Sequence, residues 1–350
     1  MGKIKERRAV LIARFSQLGD VAMALPSVYD ACYANPGVSF YFLTHHHAAG
    51  IFVNRPANLT VSSVNFDNYR GITGLWRLVR ALIGRYEVTD FIDLQDEGES
   101  RKMRFYMRMC GVKVGCINKG TRALNELTRR VNKVLVQLKP MSERYRDVFY
   151  KSGIALANDF DTIWGAGQRG DERLFAEVSR PKREGETWIA IAPFARYRGK
   201  MYPIEQMERV IEHFAVKDGH RVFLFGYGKS EEEIAERIAH RYPGVANVSG
   251  ERLSLEAQLS LLSHCDRMLT MDSANMHLAS LVGLPTVSVW GATHPYAGYM
   301  GWGQRTRDVV QLDMTCRPCS PVGDRPCERG DYHCLAGITP KMIIERVENL

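Results

Sequence analysis

Apolar and polar positions alternate in two separate series along the chain. The first opens on AVLIARF, an unbroken apolar run of strand length, followed by the loop SQLGD and the helical pattern VAMALPSVYDACYAN. VSFYFLTH and LTVSSVNF read as strands, LWRLVRALIGRY as a helix and VTDFIDLQ as a further strand. Such alternation predicts a parallel sheet covered on both faces. Between 100 and 160 the pattern turns helical and basic, most clearly in KGTRALNELTRRVNKVLVQLKP, which reads as an amphipathic helix. Its basic face is either a solvated surface or one that meets an acceptor or a membrane, and Arg122 belongs to it.

The polar stretch GAGQRGDERLFAEVSRPKREGE, 165–186, reads as a linker. Beyond it TWIAIAPFA, RVFLFG, VANVSG, RMLTMD and PTVSVWG alternate with helical segments, and ITPKMIIERVENL is a final helix free to pack on either domain. The expected architecture is α/β, with two Rossmann-like domains over 1–170 and 186–350. Ligands of doubly wound sheets bind beyond the C-terminal strand ends, so a cleft between the domains is expected.

Composition narrows this picture. A chain of 350 residues, 45% of them hydrophobic, suits two cores better than one. The net charge of +8 favours an anionic partner: nucleic acid, a phosphorylated metabolite or an acidic membrane surface. No nucleic-acid-binding motif accompanies the charge, so nucleic acid is not expected. No window is long and apolar enough to span a membrane, and MGKIKERRAVLIARFSQLGD has no signal-peptide core, so a cytoplasmic protein is expected. Eight cysteines without a secretion signal point to reduced thiols or a metal site before disulfides.

Candidate chemistry gathers where strands hand over to helices. In LTMDSANMHLASLVG, Asp272 and Ser273 end a strand, and the amide groups of Ser273, Ala274 and Asn275 open a helix. That arrangement either binds phosphate or is an ordinary helix cap. In the first series, Gly19 and Asp20 hold the matching place, with Asp20 either a cap or a carboxylate facing the cleft. Arg196, Arg198 and Lys200 follow the strand TWIAIAPFA and are either surface charges or phosphate ligands.

These motifs resemble glycosyltransferase family 9, the lipopolysaccharide heptosyltransferases. The resemblance rests on SQLGDVAMALPSV, KMYPIEQM, DSANMHLASLVGLPTVSVWGATHP, and CRPC followed by HCLAGITPKMIIERV. It implies the GT-B arrangement, with an acceptor-binding first domain and a nucleotide-sugar-binding second one. It also implies inverting transfer of heptose from ADP-heptose without a required metal, onto a lipid-linked, anionic inner-core acceptor at the inner membrane face.

Carried over by position, the catalytic base falls on Asp20, the phosphate-binding lysine on Lys200 and the acidic motif residue on Asp272. Ser273, Ala274, Asn275, Met276 and His277 complete that donor-binding motif, with Arg196 beside it. The ribose-holding glutamate matches Glu231, with Glu232 close behind, while Gly19 and Arg122 fall to the acceptor side. His277 suits a structural role behind Asp272 better than a chemical one. The family's Ser-Gly-Pro reads Ser273-Ala274-Asn275 here, and its Trp after the lysine is replaced by Tyr202 one position along.

A second nucleotide sugar serving another surface glycan, or a non-catalytic nucleotide- or glycan-binding protein of this fold, are the competing readings. Cys316, Cys319, Cys327 and Cys334, with His333 as a substitute, are either a structural zinc site or reduced structural thiols. FGYGKSE has Glu231 where a dinucleotide fingerprint needs its third glycine, which argues against a nicotinamide site. THHH, 44–47, reads as a turn, since adjacent histidines cannot all face one metal.

Overall fold

The run AVLIA forms β1 (Ala9–Ala13), apolar throughout because the sheet is covered on both faces; no residue in it exceeds 4% exposure. A computed structural model describes residues 8–350. The first seven residues, part of the segment read for a signal peptide, lie outside the described residues. β2 (Ser39–Thr44), β3 (Leu59–Ser63), β4 (Asp90–Asp93) and β5 (Lys113–Cys116) complete an all-parallel sheet of order β3-β2-β1-β4-β5. Its strand order reverses between β1 and β4, so the loops after these two strands open at the switch point.

The second sheet contains β6 (Thr187–Ala192), β7 (His220–Leu224), β8 (Val245–Asn247), β9 (Arg267–Met271), β10 (Thr286–Val289) and β11 (Val309–Val310). Its order is β11-β10-β9-β6-β7-β8, again parallel throughout. The reversal here falls between β6 and β9, the strands that precede Lys200 and Asp272. Trp188, Phe223 and the aliphatic residues of β6, β7 and β9 fill this sheet's two faces, and the final helix Pro340–Glu348 packs on this sheet and on the helix Ile204–Ala215.

The chain divides into two units, one comprising residues up to Lys119 with Met141–Ile163, the other Gly120–Pro140 with Trp164–Leu350. Two expectations change as a result. KGTRALNELTRRVNKVLVQLKP is not one helix: Thr121–Leu127 is helical, and 128–140 runs without helix or strand along the second unit. Tertiary bonds override the pattern there. The Lys133 ammonium donates to the carbonyls of Cys316 and Pro318, and the Leu138 amide donates to the carbonyl of Tyr296.

The stretch 165–186 is likewise no free linker. His264 bonds the carbonyl of Gly170, the Ser260 hydroxyl donates to the carbonyl of Asp171, and Phe175 packs against Trp188 and His264. These contacts clad the second unit with the polar segment. β5 went unforeseen because KVGC has four residues and no alternating pattern to reveal it.

Candidate functional site

At the first switch point, the Leu18–Ala34 helix begins directly after β1 and its loop, with Gly19 buried and Asp20 in its first turn. Asp20 Oδ2 accepts the Ser16 hydroxyl at 2.8 Å and pairs with Arg14 Nη2 at 3.0 Å. The Arg14 side chain is 4% exposed and that of Asp20 27%, so a buried cation holds a carboxylate that still reaches solvent. Arg14 also donates to the carbonyl of Leu94, which ties the loop after β1 to the end of β4. The carboxylate is therefore oriented from one oxygen, leaving the other edge for a proton donor.

Beside it lies a cavity of about 380 Å3 walled by Phe15, Phe66, His45 and His47, with Gln95 and Glu99 at its edge. Two of the three histidines read from sequence as a turn line this cavity, while His46 and His47 open a short helix, His46–Ala49. Nothing in the pattern THHH foretold a cavity, because Phe15, Phe66 and Gln95 come from segments far apart in the chain.

At the second switch point, Lys200 Nζ pairs with Asp272 Oδ2 at 3.0 Å, their side chains 16% and 6% exposed. The Thr293 hydroxyl donates to the same Asp272 oxygen at 2.7 Å. Ser273 stands at the N-cap of the helix Ala274–Leu281 but makes no side-chain cap. The helix start therefore presents backbone donors and its positive dipole end beside the lysine, the arrangement that suits phosphate. Met276 and His277 are buried in that helix, and the Ser280 hydroxyl donates to the carbonyl of His277.

Glu231 lies in the first turn of the helix Lys229–Arg241, where Oε2 accepts the amide of Tyr227 at 2.7 Å; burial raises its carboxyl above the ordinary range. Glu232 instead faces Arg252 at 3.8 Å. Arg196 is exposed and stacks on Tyr197, whereas Arg122 is exposed on its helix and pairs with Glu126. Arg122 belongs to the second unit, a change from its expected place in the acceptor-binding first domain.

The cysteine-rich segment supplies what sequence reasoning missed. Backbone amides of Cys319 and Ser320 both donate to the carbonyl of Ala292, and Arg317 donates to the carbonyls of Gly291 and Thr293. Gly323 sits at φ +85°, where an added Cβ would stand 2.7 Å from Lys200 Cγ. The segment thus braces both the lysine and the loop whose threonine holds Asp272. Gly-Asp after CSPV was the available signal, a turn of the type that brings backbone close to a neighbour.

All four of its cysteines are free thiols. Burial, and then the neighbouring thiols, raise Cys319 and Cys334, the latter to about 11. Yet the four do not converge on one point: among the described residues only Asp93, Asp96 and Cys116 bring three ligand atoms within 4.8 Å of one another. That trio already holds a cation, since Arg104 pairs with Asp93 at 2.9 Å and Asp96 at 2.8 Å and touches Cys116.

Two parallel, doubly wound sheets with charged residues at each switch point define the class, an α/β protein of the GT-B type. The pattern of the family described as glycosyltransferase family 9 (heptosyltransferase) matches residues 75–328, more than half of the chain. The chain belongs to that family.

Lipooligosaccharide heptosyltransferase 2 of Campylobacter jejuni is 25% identical over 173 residues, 48% of this chain and 52% of that one. The chain thus spans about half the length of that relative. Lipopolysaccharide heptosyltransferase 1 of Pseudomonas aeruginosa is 26% identical over 324 residues, 89% of this chain and 85% of that one. The solved structure of E. coli heptosyltransferase WaaC with ADP is similar with a TM-score of 0.63 at 20% identity, covering 97% of this chain and 99% of that one.

Proposed function

We propose that the protein is an inverting glycosyltransferase that moves heptose from ADP-heptose onto a lipopolysaccharide-type acceptor. The observation that carries this reading is the Lys200–Asp272 pair at the second switch point, beside an uncapped helix start. A nucleoside diphosphate leaving group develops negative charge as the sugar departs. Lys200 and the amide groups of Ser273, Ala274 and Asn275 stabilise that charge, and Asp272, anchored by Thr293, keeps the lysine in position until the diphosphate arrives. Glu231 holds the nucleoside ribose, with Arg196 as a further cation for the diphosphate.

The attacking acceptor hydroxyl gives its proton to Asp20, whose orientation Arg14 and Ser16 fix. Attack and departure occur in one in-line displacement at the anomeric carbon, which inverts it. The step uses no metal. Zinc on the four cysteines is not part of the proposed chemistry, because their sulfurs do not present a convergent ligand set. Metal analysis of untagged protein tests this, and one zinc per chain would reverse it.

A basic, apolar strap supports work at an anionic membrane surface. Val131, Val134, Leu135 and Val136 are exposed alongside Arg129 and Arg130 in the segment without helix or strand. Apolar contact plus about 1 kcal/mol per basic residue near anionic lipid favours a peripheral association. No helix among the described residues is long and apolar enough to cross a membrane.

Thermal stabilisation by ADP, GDP, UDP and CMP, followed by turnover with ADP-heptose, tests the reading. A shift with ADP alone agrees with it. A shift with UDP but none with ADP moves the protein to another nucleotide sugar, and binding without any turnover favours the non-catalytic alternative.

A further inference from the structure

The cavity beside Asp20 has a composition that selects among acceptors, an inference that rests on the glycosyl-transfer reading. We infer that this cavity is a subsite for an uncharged sugar ring of the acceptor and that it rejects a sugar bearing a carboxylate. At about 380 Å3 it falls at the small end of ligand clefts, which run roughly 300–1,000 Å3. Phe15 and Phe66 meet edge to face with centroids 4.7 Å apart, a rigid apolar wall for the C–H face of a pyranose.

Gln95 and His45 offer the cavity complementary hydrogen-bonding groups. Gln95 is 9% exposed, and its Oε1 accepts the amide of Phe15 at 2.7 Å, so its NH2 group is left to donate. His45 Nδ1 lies 3.3 Å from the carbonyl of Val64. When Nδ1 donates there, Nε2 is left to accept a sugar hydroxyl. His47 stacks on His45 at 5.7 Å, and burial together with the neighbouring imidazoles of His45 and His46 lowers its affinity for a proton.

Among the described residues no lysine or arginine lines the cavity, while Glu99 does. Arg14, the nearest cation by sequence, is committed to Asp20 and to the carbonyl of Leu94. The helix Gly98–Met109 begins at the cavity edge, but its start is already served by the Glu97–Ser100 capping box and by Glu99 itself. A carboxylate-bearing ring entering here meets Glu99 and finds no counter-charge, whereas hydroxyls find one donor group and one acceptor. Ser16 also lines the cavity and bonds Asp20, which puts a ring in the cavity next to the proposed base.

A matched pair of probes tests the assignment: methyl α-mannopyranoside and its uronate, which differ only in CH2OH against COO−. Binding of each to the full chain is measured by saturation-transfer NMR, with an ADP thermal shift on the same sample. The neutral glycoside is expected to bind at least about tenfold more tightly than the uronate, given the cost of facing like charges. Glu99→Gln, at an exposed position, is expected to improve uronate binding and leave the mannoside unchanged, while Phe66→Ala weakens the mannoside.

Equal or tighter uronate binding, no binding of either sugar, or a mannoside signal indifferent to Phe66→Ala overturns the inference. If ADP still shifts the melting temperature in those cases, the glycosyltransferase reading stands without it. If ADP also fails to bind, that reading falls as well.

Discussion

The two switch points share a topology and carry opposite arrangements. In the first, a partly exposed carboxylate is held by a buried guanidinium next to an aromatic and imidazole cavity. In the second, a lysine is held by a buried carboxylate next to an uncapped helix start. Strand order explains why both sites lie where they do, since diverging loops leave a crevice only at the reversal. It does not explain what each does. The acid that reaches solvent suits proton acceptance, and the cation beside backbone donors suits a diphosphate, so side chains divide the labour on one scaffold.

The sharpest test of this division is Asp20→Asn. Turnover is expected to fall by about 10²–10⁴-fold, the usual worth of a positioned base, with ADP affinity unchanged. Near-wild-type turnover would remove the base from the first switch point. Lys200→Met is the mirror experiment: ADP affinity drops by about tenfold or more as a charge-assisted contact is lost. It also leaves the Asp272 carboxylate buried without its cation, held by Thr293, which costs up to about 3 kcal/mol of stability. Adding Asp272→Asn is expected to recover stability in urea melts without recovering ADP binding. If affinity returned with stability, Lys200 would be structural only.

Gly323→Ala probes the brace behind the lysine. Its left-handed φ costs an L-residue about 1 kcal/mol, and the new Cβ presses on the Lys200 stem. ADP is expected to bind several-fold more weakly, with the melting temperature down by a few degrees, of the order given by about 1 kcal/mol in a domain of this size. Unchanged ADP affinity in a destabilised variant would mean that the cysteine-rich segment supports the fold and not the lysine.

Much of this was legible in the chain. β1 is an unbroken apolar run, and β6 and β9 are mostly apolar, because parallel strands are buried on both faces; Asp272 follows β9 directly, while Asp20 and Lys200 lie in the turns and helix starts that come after β1 and β6. The switch points themselves needed the pairing of strands distant in sequence, such as β6 with β9. The strap at 128–140 misled because Val131, Val134 and Leu135 carry a helical period although they stay exposed; what fixes the segment is Lys133 on carbonyls 183 and 185 residues away. The cavity beside Asp20 was hidden for the same reason, its wall being assembled from four segments that sequence spacing does not relate.

The smallest expected effect separates the two sites by acid. His294 follows Thr293, the residue that bonds Asp272, and its Nδ1 accepts the amide of Tyr296 at 3.1 Å, which requires an unprotonated nitrogen. Burial first, and then the Arg317 charge, lower its pKa from 6.5 to about 4. The unfolded chain therefore binds this proton at higher pH than the folded one, so the stability this group contributes is present above about 6.5 and is lost as the pH falls towards about 4. His294→Asn keeps a side-chain acceptor for the Tyr296 amide and removes the titration. Across that window, the variant's unfolding free energy in urea is expected to fall less steeply than the wild type's, by at most about 1.4 kcal/mol per pH unit, one proton's worth. ADP protection of the wild type is expected to weaken over the same window, because the loop that loosens carries Thr293. Identical slopes for the two proteins would place the acid sensitivity elsewhere, with His47 of the first unit, whose affinity for a proton burial also lowers, the next residue to change.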